Sequence, residues 1–354
     1  MIVEKYKFLN FPLYRDNKEQ FLKVLDSLPK ELTVLVFDVF ENSYIYNNDA
    51  VLVYELQEQL RRRNLKHFII LDGSYDNHQI EINHNILFFN WSLIFTYWNL
   101  FVLNHPYVPK YQPSSDLGLF LIGKPNKQHR VGLLKKFYER KKLDGLLWSF
   151  NVHESIKDSI REDFFSNYSL ESFDTFIKEC SKDLDVEYTK PIFVHLGFPY
   201  DHTLYNKTGF SIISETKIHG FTDRPLITEK TWRVISNHHP FIMLGPSHNL
   251  RWLKDKGFKT FEEYIPIQYN NIWDIDKRMD SIVTSSAYLS RNIISKNKIL
   301  LEQDTAHNFK LFKKMGKESM DKFLSSVSEN VDFIKSVVDF HVFGHRNLLL
   351  CFTP

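Results

Sequence analysis

The chain has few cysteines, glycines and prolines, and each shortage excludes a class of protein. Its 354 residues include only two cysteines, Cys180 and Cys351, too few for a disulfide framework or a four-cysteine zinc site. We expect both to be buried thiols in a reducing, cytoplasmic setting. With only 12 glycines, 13 prolines and no low-complexity tract, the chain is neither collagen-like nor repetitive. Its length favours two globular domains.

The chain also lacks an excess of one charge and a segment typical of membrane insertion. Its 45 Lys and Arg residues nearly balance 43 Asp and Glu residues, so no overall field favours nucleic acid or an anionic membrane. The N-terminus has no apolar run followed by a small-residue cleavage site, so we expect no secretion signal. The most apolar stretch, 86–103, is interrupted by four polar residues, which predicts a buried core segment and no membrane span.

The first half shows the pattern of a parallel α/β unit. Residues 33–40 form a β-branched and aromatic run typical of a buried strand. Residues 51–63 carry apolar side chains at helical spacing and end in three arginines, which favour a helix C-terminus. A second strand is predicted at 67–71. Strand, helix and strand in this order predict a parallel sheet.

The pattern restarts after a polar, proline-containing stretch, 105–116, which predicts a linker. Strands are predicted at 117–122, 191–196, 210–214 and 240–244. Helices are predicted at 130–142 and 228–237, and the C-terminal part, 292–342, is expected to be helical. The predicted domains are therefore 1–112, 113–300 and a set of C-terminal helices at 301–354.

The turn before the helix at 130–142 is the first candidate for a phosphate site. It contains Lys124 and Arg130, and a helix N-terminus presents N–H groups and a positive dipole end to an anion. The alternative is a solvated basic surface, because residues 124–142 hold eight Lys or Arg residues and one Glu. On these residues alone the two interpretations stay open.

The second candidate combines the strand end at Ser214 and Glu215 with the helix that begins after Thr228. Thr228 is suited to an N-cap position, which leaves Glu229 and Lys230 in the first helical turn. A carboxylate there can hold a ribose diol, and a lysine can neutralise phosphate. The alternative is a capped helix in which the glutamate stabilises the dipole.

A family resemblance covers both candidates. The segments SIISET, LITEKTWRVI and PFIMLGP resemble the donor-binding motif of α-1,3-fucosyltransferases. They are also similar to the sequence-predicted glycosyltransferases of tailed phages and large DNA viruses, whose upstream Pro-x-x-x-His-Arg turn is matched by 125–130. The resemblance covers about residues 117–262. One difference is Gly123-Lys124, where the viral pattern often has Asn-Arg.

The resemblance implies an α/β protein of the GT-B class, with two Rossmann-like domains facing a cleft and C-terminal helices. It implies a metal-independent transferase that uses a nucleoside-diphosphate sugar and no other cofactor, located in the host cytoplasm if the protein is viral. By position, Glu229 is expected to bind the ribose, and Lys230 and Arg130 the pyrophosphate. Lys124, Ser214, Glu215 and Thr228 are expected to complete the donor pocket.

An inverting transferase needs a general base beside the acceptor hydroxyl, usually a carboxylate of the first domain. Glu41 follows the first predicted strand and resembles an acidic residue of the viral proteins there. Asp72 and Asp38 are the other candidates, although Asp72 precedes Gly73 and can instead form a turn. Asp274 and Asp276 have the Asp-x-Asp spacing of a metal site, but no metal is expected there.

The acceptor and the catalytic competence of the chain stay open at this point. A hydroxymethylated pyrimidine in phage DNA would make the protein a DNA-modification enzyme, and a glycan is the other acceptor considered. Residues 1–112 hold 11 Lys and Arg residues and 13 Asp and Glu residues, which argues against DNA. The rival function is a non-catalytic nucleic-acid-binding or glycan-binding accessory protein with the same fold.

Overall fold

The structure is a computed structural model in which the chain divides into two compact units. One unit consists of Met1–Leu103 with Met315–Pro354, and the other is Asn104–Lys314. The residues that the structure describes are 6–10, 17–38, 49–72, 82–83, 86–89, 110–122, 127–152, 154–166, 169–182, 184, 202–216, 218 and 227–326. The predicted domain bounds at 112 and 300 remain predictions.

The first unit contains a mainly parallel sheet. Its strands are β1 (Tyr6–Asn10), β2 (Thr33–Asp38), β3 (Lys66–Asp72), β4 (Ile82–Asn83) and β5 (Ile86–Phe89), and its helices are α1 (Lys18–Asp26) and α2 (Asp49–Arg62). The strand order is β1-β2-β3-β5-β4. Only β4 is antiparallel to its neighbour among these strands.

The periodicity of the sequence explains this unit. Val34 and Val36, two positions apart on β2, are both fully buried, as expected for one face of a strand. Helix α2 buries Val53, Leu56 and Leu60 at spacings of three and four residues. Together with residues of α1 and β3 these side chains form one apolar core.

The second unit contains four parallel strands packed by helices. The strands are β6 (Gly118–Ile122), β7 (Leu146–Phe150), β8 (Phe210–Ser214) and β9 (Phe241–Leu244). Its helices are α3 (Gln128–Glu139), α4 (Glu154–Phe165), α5 (Leu170–Cys180), α6 (His202–Lys207), α7 (Glu229–Ser236), α8 (Asn249–Asp255), α9 (Ile275–Leu289) and α10 (Ile293–Lys296). Helix α11 (Lys298–Ser326) begins in this unit and continues past its last residue. The strand order is β7-β6-β8-β9.

This second sheet is Rossmann-like, and the predicted α/β class is confirmed. Every residue of β8 and β9 is buried, as is typical of parallel strands covered by helices. Strand β8 and helix α7 lie where the sequence predicts them. The sequence did not predict β7, whose three central residues are half-buried and show no clear period, nor α4, α5 and α9, whose apolar residues are interrupted by exposed polar ones. The GT-B arrangement of two such domains remains a prediction.

Several smaller expectations can also be compared with the structure. Cys180 is buried, as predicted, and burial raises its pKa to about 12, which keeps the thiol protonated.

The predicted linker is in part packed structure. The side chain of Tyr111 is buried, and its hydroxyl donates to the Gly209 carbonyl at 2.8 Å. Cys351 and the predicted strand at 191–196 lie outside the described residues.

The C-terminal helical prediction is confirmed in its first part. Helices α10 and α11 are separated at Asn297, and residues 327–342 lie outside the described part of the chain. Within the described part, no helix combines the length and apolar character needed to cross a membrane.

Candidate functional site

The order of the second sheet reverses between β6 and β8, which makes this point the candidate ligand position. The chain passes from β6 to β7 on one side, and then to β8 on the other side of β6. Both neighbours are parallel to β6, and in open α/β sheets such a strand order is associated with a crevice at the carboxyl ends of the two strands. We call this position, at the carboxyl ends of β6 and β8, the switch-point crevice. Open α/β sheets bind their ligands at such positions.

The first turn of α3 is joined to the end of β8 across this crevice. The His129 Nε2 atom lies 2.7 Å from the main-chain oxygen of Glu215. A carbonyl oxygen only accepts, so Nε2 of His129 carries the proton in this bond. The predicted phosphate turn and the predicted strand end are therefore neighbours, although 86 residues separate them in the chain.

Glu215 ties the start of α7 to the end of β8. Its side chain is fully buried and accepts hydrogen bonds from the Thr228 amide at 3.1 Å and from the Thr231 hydroxyl at 2.6 Å. The Thr228 hydroxyl donates to the second carboxylate oxygen. Burial raises the pKa of Glu215. The positive charge of Lys230 and the hydrogen bonds from Thr228 and Thr231 lower it, but burial outweighs them. The carboxylate of Glu215 is thus used to hold the start of α7.

Helix α7 has the cap that its sequence predicts. Thr228 has an extended backbone, and its hydroxyl oxygen accepts from the Lys230 amide at 3.4 Å. Glu229 follows in the first turn, where a carboxylate stabilises the positive end of the dipole. The Thr231 hydroxyl, which the sequence analysis did not select, is held by Glu215. Its spacing from the Thr228 cap was the only available signal.

Glu229 and Lys230 form an ion pair at the N-terminus of α7. The Lys230 Nζ atom lies 2.5 Å from Glu229 Oε1, and the two side chains are each about a fifth exposed. Lys230 Nζ also donates to the Thr216 hydroxyl at 3.1 Å. Burial raises the pKa of Glu229, but the charge and hydrogen bond of Lys230 outweigh it, so the pKa is lowered. Glu229 is therefore a carboxylate at neutral pH.

Arg130 and Ser214 lie deeper than the sequence suggested. Arg130 is in the first turn of α3 and is only 3% exposed. Its guanidinium therefore does not lie on the surface. Ser214 is 5% exposed, and its hydroxyl has no hydrogen-bond partner in the described part of the structure. The first turn of α3 contains no acidic residue, and its cap, Lys127, forms no side-chain cap bond. The positive end of this helix is therefore not neutralised by a carboxylate of its own first turn.

The residue that follows β9, Gly245, packs closely against Glu215 at the end of β8. Gly245 packs so tightly that a Cβ atom there would lie 2.8 Å from Asn249 Nδ2 and 3.2 Å from Glu215 Cγ. The buried Arg278 donates to the Gly245 carbonyl at 2.8 Å and to the Ile272 carbonyl at 2.6 Å. The sequence does not indicate Arg278, because a position inside a long helix gives no sign of this contact.

The predicted general bases are only partly described. Asp38 and Asp72 are the last residues of β2 and β3, and Asp38 is in register with Leu71, the neighbour of Asp72. Their main chains thus lie side by side at the carboxyl edge of the first sheet. Glu41 and Lys124 lie outside the described residues. The assignments of all four remain predictions.

The Asp-x-Asp tripeptide has a structural explanation. The Asp274 carboxylate accepts from the Lys277 amide at 3.0 Å and caps α9, and this bond lowers the pKa of Asp274. Asp276 pairs with Lys136 at 2.9 Å. Among the residues that the structure describes, no cluster of three His, Cys, Asp or Glu side chains could hold a metal ion.

Comparison of the chain with protein-family models, curated proteins and solved structures found no match. The resemblance to fucosyltransferases therefore depends on the quoted motifs alone. Their location at a switch point is a separate observation, because it follows from the strand order and not from likeness to another protein.

Proposed function

We propose that the protein is an inverting glycosyltransferase of the GT-B class that takes a sugar from a nucleoside-diphosphate donor. The observation that carries this proposal is the position of Glu229 and Lys230. They occupy the first turn of a capped helix at the switch-point crevice, within the segment that resembles the fucosyltransferase donor motif. A carboxylate that can accept the ribose hydroxyls and a cation that can bind the diphosphate are thus adjacent.

Lys230 is proposed to stabilise the leaving diphosphate. Its ammonium group has three donors, which bond to Glu229, Thr216 and Thr228, and a phosphate oxygen can replace the longest of these bonds, the one to the Thr228 hydroxyl at 3.4 Å. The positive ends of α3 and α7 add to this field. Donors already in place where negative charge develops stabilise a transition state without reorganisation, so no metal is required by this scheme.

Glu229 is proposed to accept the ribose hydroxyls. Its lowered pKa keeps it ionised at neutral pH, which suits an acceptor for two hydroxyl donors. Arg130, Lys124 and Ser214 remain the proposed further donor contacts. Glu215 and Thr228 are proposed to act by holding the helix start, since their polar atoms bond to each other.

Inversion requires a general base, and Glu41, Asp72 and Asp38 remain the candidates. The base removes the proton of the acceptor hydroxyl, the oxygen bonds to the anomeric carbon, and the bond to the diphosphate breaks with its electron pair. The acceptor is proposed to be a hydroxymethylated pyrimidine in DNA or a glycan. Strong salt dependence of duplex binding supports the DNA acceptor, and its absence supports the glycan.

Thermal unfolding with UDP, GDP and other nucleoside diphosphates in EDTA tests the donor assignment. A ligand at ~100 times its dissociation constant stabilises by about 2.7 kcal/mol, or several degrees. A shift with one nucleotide that is lost in Lys230→Ala, but not in the charge-matched control Lys298→Ala, supports the proposal. No shift with any nucleotide contradicts it. Binding without sugar transfer to any acceptor favours the non-catalytic accessory protein.

A further inference from the structure

We infer that the second unit holds a separate ligand site at the amino edge of its sheet, suited to a small phosphorylated molecule with a flat apolar part. Two adjoining cavities of about 230 and 220 Å³ lie there. Both are lined by Lys142, Ala287 and Arg291, so they form one groove, called here the amino-edge groove. The inference does not depend on the proposed transferase function.

The amino-edge groove is distinct from the switch-point crevice. Leu117 and Leu146, which stand at the beginnings of β6 and β7, line the second cavity. The crevice lies at the other ends of the strands. A strand of five residues spans roughly 15 Å, so the two sites are on opposite edges of the sheet.

Cationic side chains surround the groove. Arg140, Lys142 and Arg291 line the first cavity. Arg140 pairs with Asp280 at 2.7 Å, whereas Lys142 and Arg291 form no ion pair with any described residue. Asp144, in the second cavity, is the single acidic residue that lines the two cavities in the described structure. The groove therefore carries a surplus of positive charge that favours an anion.

The first cavity also offers an apolar wall. Pro266, Val283 and Ala287 line it, together with Tyr288, which is 41% exposed. A half-exposed tyrosine ring provides a face on which a planar group can stack. Cations beside such a face match a phosphate that is joined to an aromatic ring.

The second cavity contains a buried hydroxyl without a partner. Ser286 is 2% exposed, and its Oγ atom has no hydrogen-bond partner among the described residues. Buried polar groups are nearly always satisfied, so a ligand atom is a natural partner for this hydroxyl. Gly145 keeps the space open, because a Cβ atom there would lie 3.1 Å from the Ser290 hydroxyl.

A purely structural explanation covers only part of this arrangement. Arg140 and Lys142 follow the C-terminus of α3, and Arg291 follows that of α9, where cations stabilise the helix dipole. Dipole stabilisation accounts for neither the open cavities nor the unpartnered Ser286 hydroxyl. A nucleoside monophosphate combines one phosphate, hydroxyls and a flat base, and it is the simplest ligand that uses all three features.

The test measures binding of AMP and UMP by calorimetry, with adenosine and inorganic phosphate as comparison ligands. The full chain carrying Lys230→Ala is used, so that the proposed donor site does not contribute. We expect binding of a nucleoside monophosphate that weakens about tenfold in Lys142→Ala and in Arg291→Ala, the loss of one charge-assisted contact each. Lys298→Ala removes one exposed charge outside the groove and should leave binding unchanged.

Two further variants separate a ligand site from a structural cluster. Ala287→Leu fills the shared part of the groove and should abolish binding without loss of the folded state, which thermal unfolding verifies. Ser286→Ala should weaken binding while raising the Tm of the free protein by about 2 °C, because it removes an unsatisfied buried hydroxyl. If Lys142→Ala and Arg291→Ala bind the nucleotide as tightly as the parent Lys230→Ala chain, or if the parent chain binds neither nucleotide, the inference is overturned. Binding of a single-stranded oligonucleotide but of neither monophosphate also overturns it and assigns the groove to nucleic acid.

Discussion

The His129 imidazole donates to the main-chain oxygen of Glu215 over 2.7 Å, and this bond joins the two sequence segments that resemble a sugar-nucleotide site. His129 belongs to the first turn of α3, and Glu215 follows directly after β8. The two elements flank the point where the strand order reverses. The positive ends of α3 and α7 are therefore brought to one crevice.

Replacement of Lys230 should remove transferase activity without unfolding the protein. Under the proposed function, Lys230→Ala should lower transfer at least ~100-fold, comparable to the loss of one preorganised transition-state donor. The partly exposed pair with Glu229 contributes at most about 1 kcal/mol to stability, so the fold should persist. Transfer assays and circular dichroism measure the two effects. Lys298→Ala is the control, and unchanged transfer in Lys230→Ala removes the diphosphate assignment.

Replacement of Glu215 should destabilise the second unit. Glu215→Ala leaves the buried Thr228 amide and the Thr231 hydroxyl without their acceptor, at a cost of about 3 kcal/mol in the free energy of unfolding. Glu215→Gln keeps one acceptor oxygen and should cost less. Urea unfolding measures both variants, and equal stability of Glu215→Ala and the wild-type chain would show that the helix start is held by other contacts.

The buried histidines should make stability fall in acid. Burial lowers the pKa of both His238 and His239 from 6.5 to about 4. His239 Nε2 donates to the Thr208 carbonyl at 2.9 Å while Nδ1 accepts from the Ser211 hydroxyl at 2.8 Å, so the neutral ring is satisfied. The unfolded chain binds more protons between pH 6.5 and pH 4, and stability should decline there by about 1.4 kcal/mol per pH unit for each histidine.

A pH series of urea unfolding measures this decline. His239→Gln removes one titrating group and should reduce the slope between pH 6.5 and pH 4 by the share of one histidine. Above pH 7 the pH dependence of stability should be the same for the wild-type chain and for His239→Gln, which provides the internal control. An identical slope in acid for the wild-type chain and His239→Gln contradicts the burial effect.

A side chain at position 245 should lower the stability of the protein. In Gly245→Ala the new Cβ atom meets Asn249 Nδ2 at 2.8 Å and the side chain of Glu215, so we expect a loss of about 2 kcal/mol. The double variant with Asn249→Ala removes the closest atom and should lose less stability than the sum of the single variants. Strict additivity would show that the close approach to Asn249 is not the cause.

Local sequence determined the elements that bracket the candidate site. A short segment with phenylalanine and two isoleucines predicts β8, and a threonine followed by Glu229 and Lys230 predicts the start of α7, because caps and strand burial depend on nearest neighbours. The same reasoning missed β7, which has three half-buried residues in a row after its buried first residue Leu146 and no clear period. Its pairing with β6, and not its own pattern, defines it as a strand.

Tertiary structure decided which of these residues meet and what each of them does. The sequence indicated Glu215 as a pocket residue, and only the folded chain shows that its carboxylate is used by Thr228 and Thr231. Arg130 could be placed on a helix start by sequence, whereas its burial depends on elements far away in the chain. Caps and periodicity are local and legible in sequence, but strand order, burial and the contacts of His129 and Arg278 are long-range and exist only once the sheet has assembled.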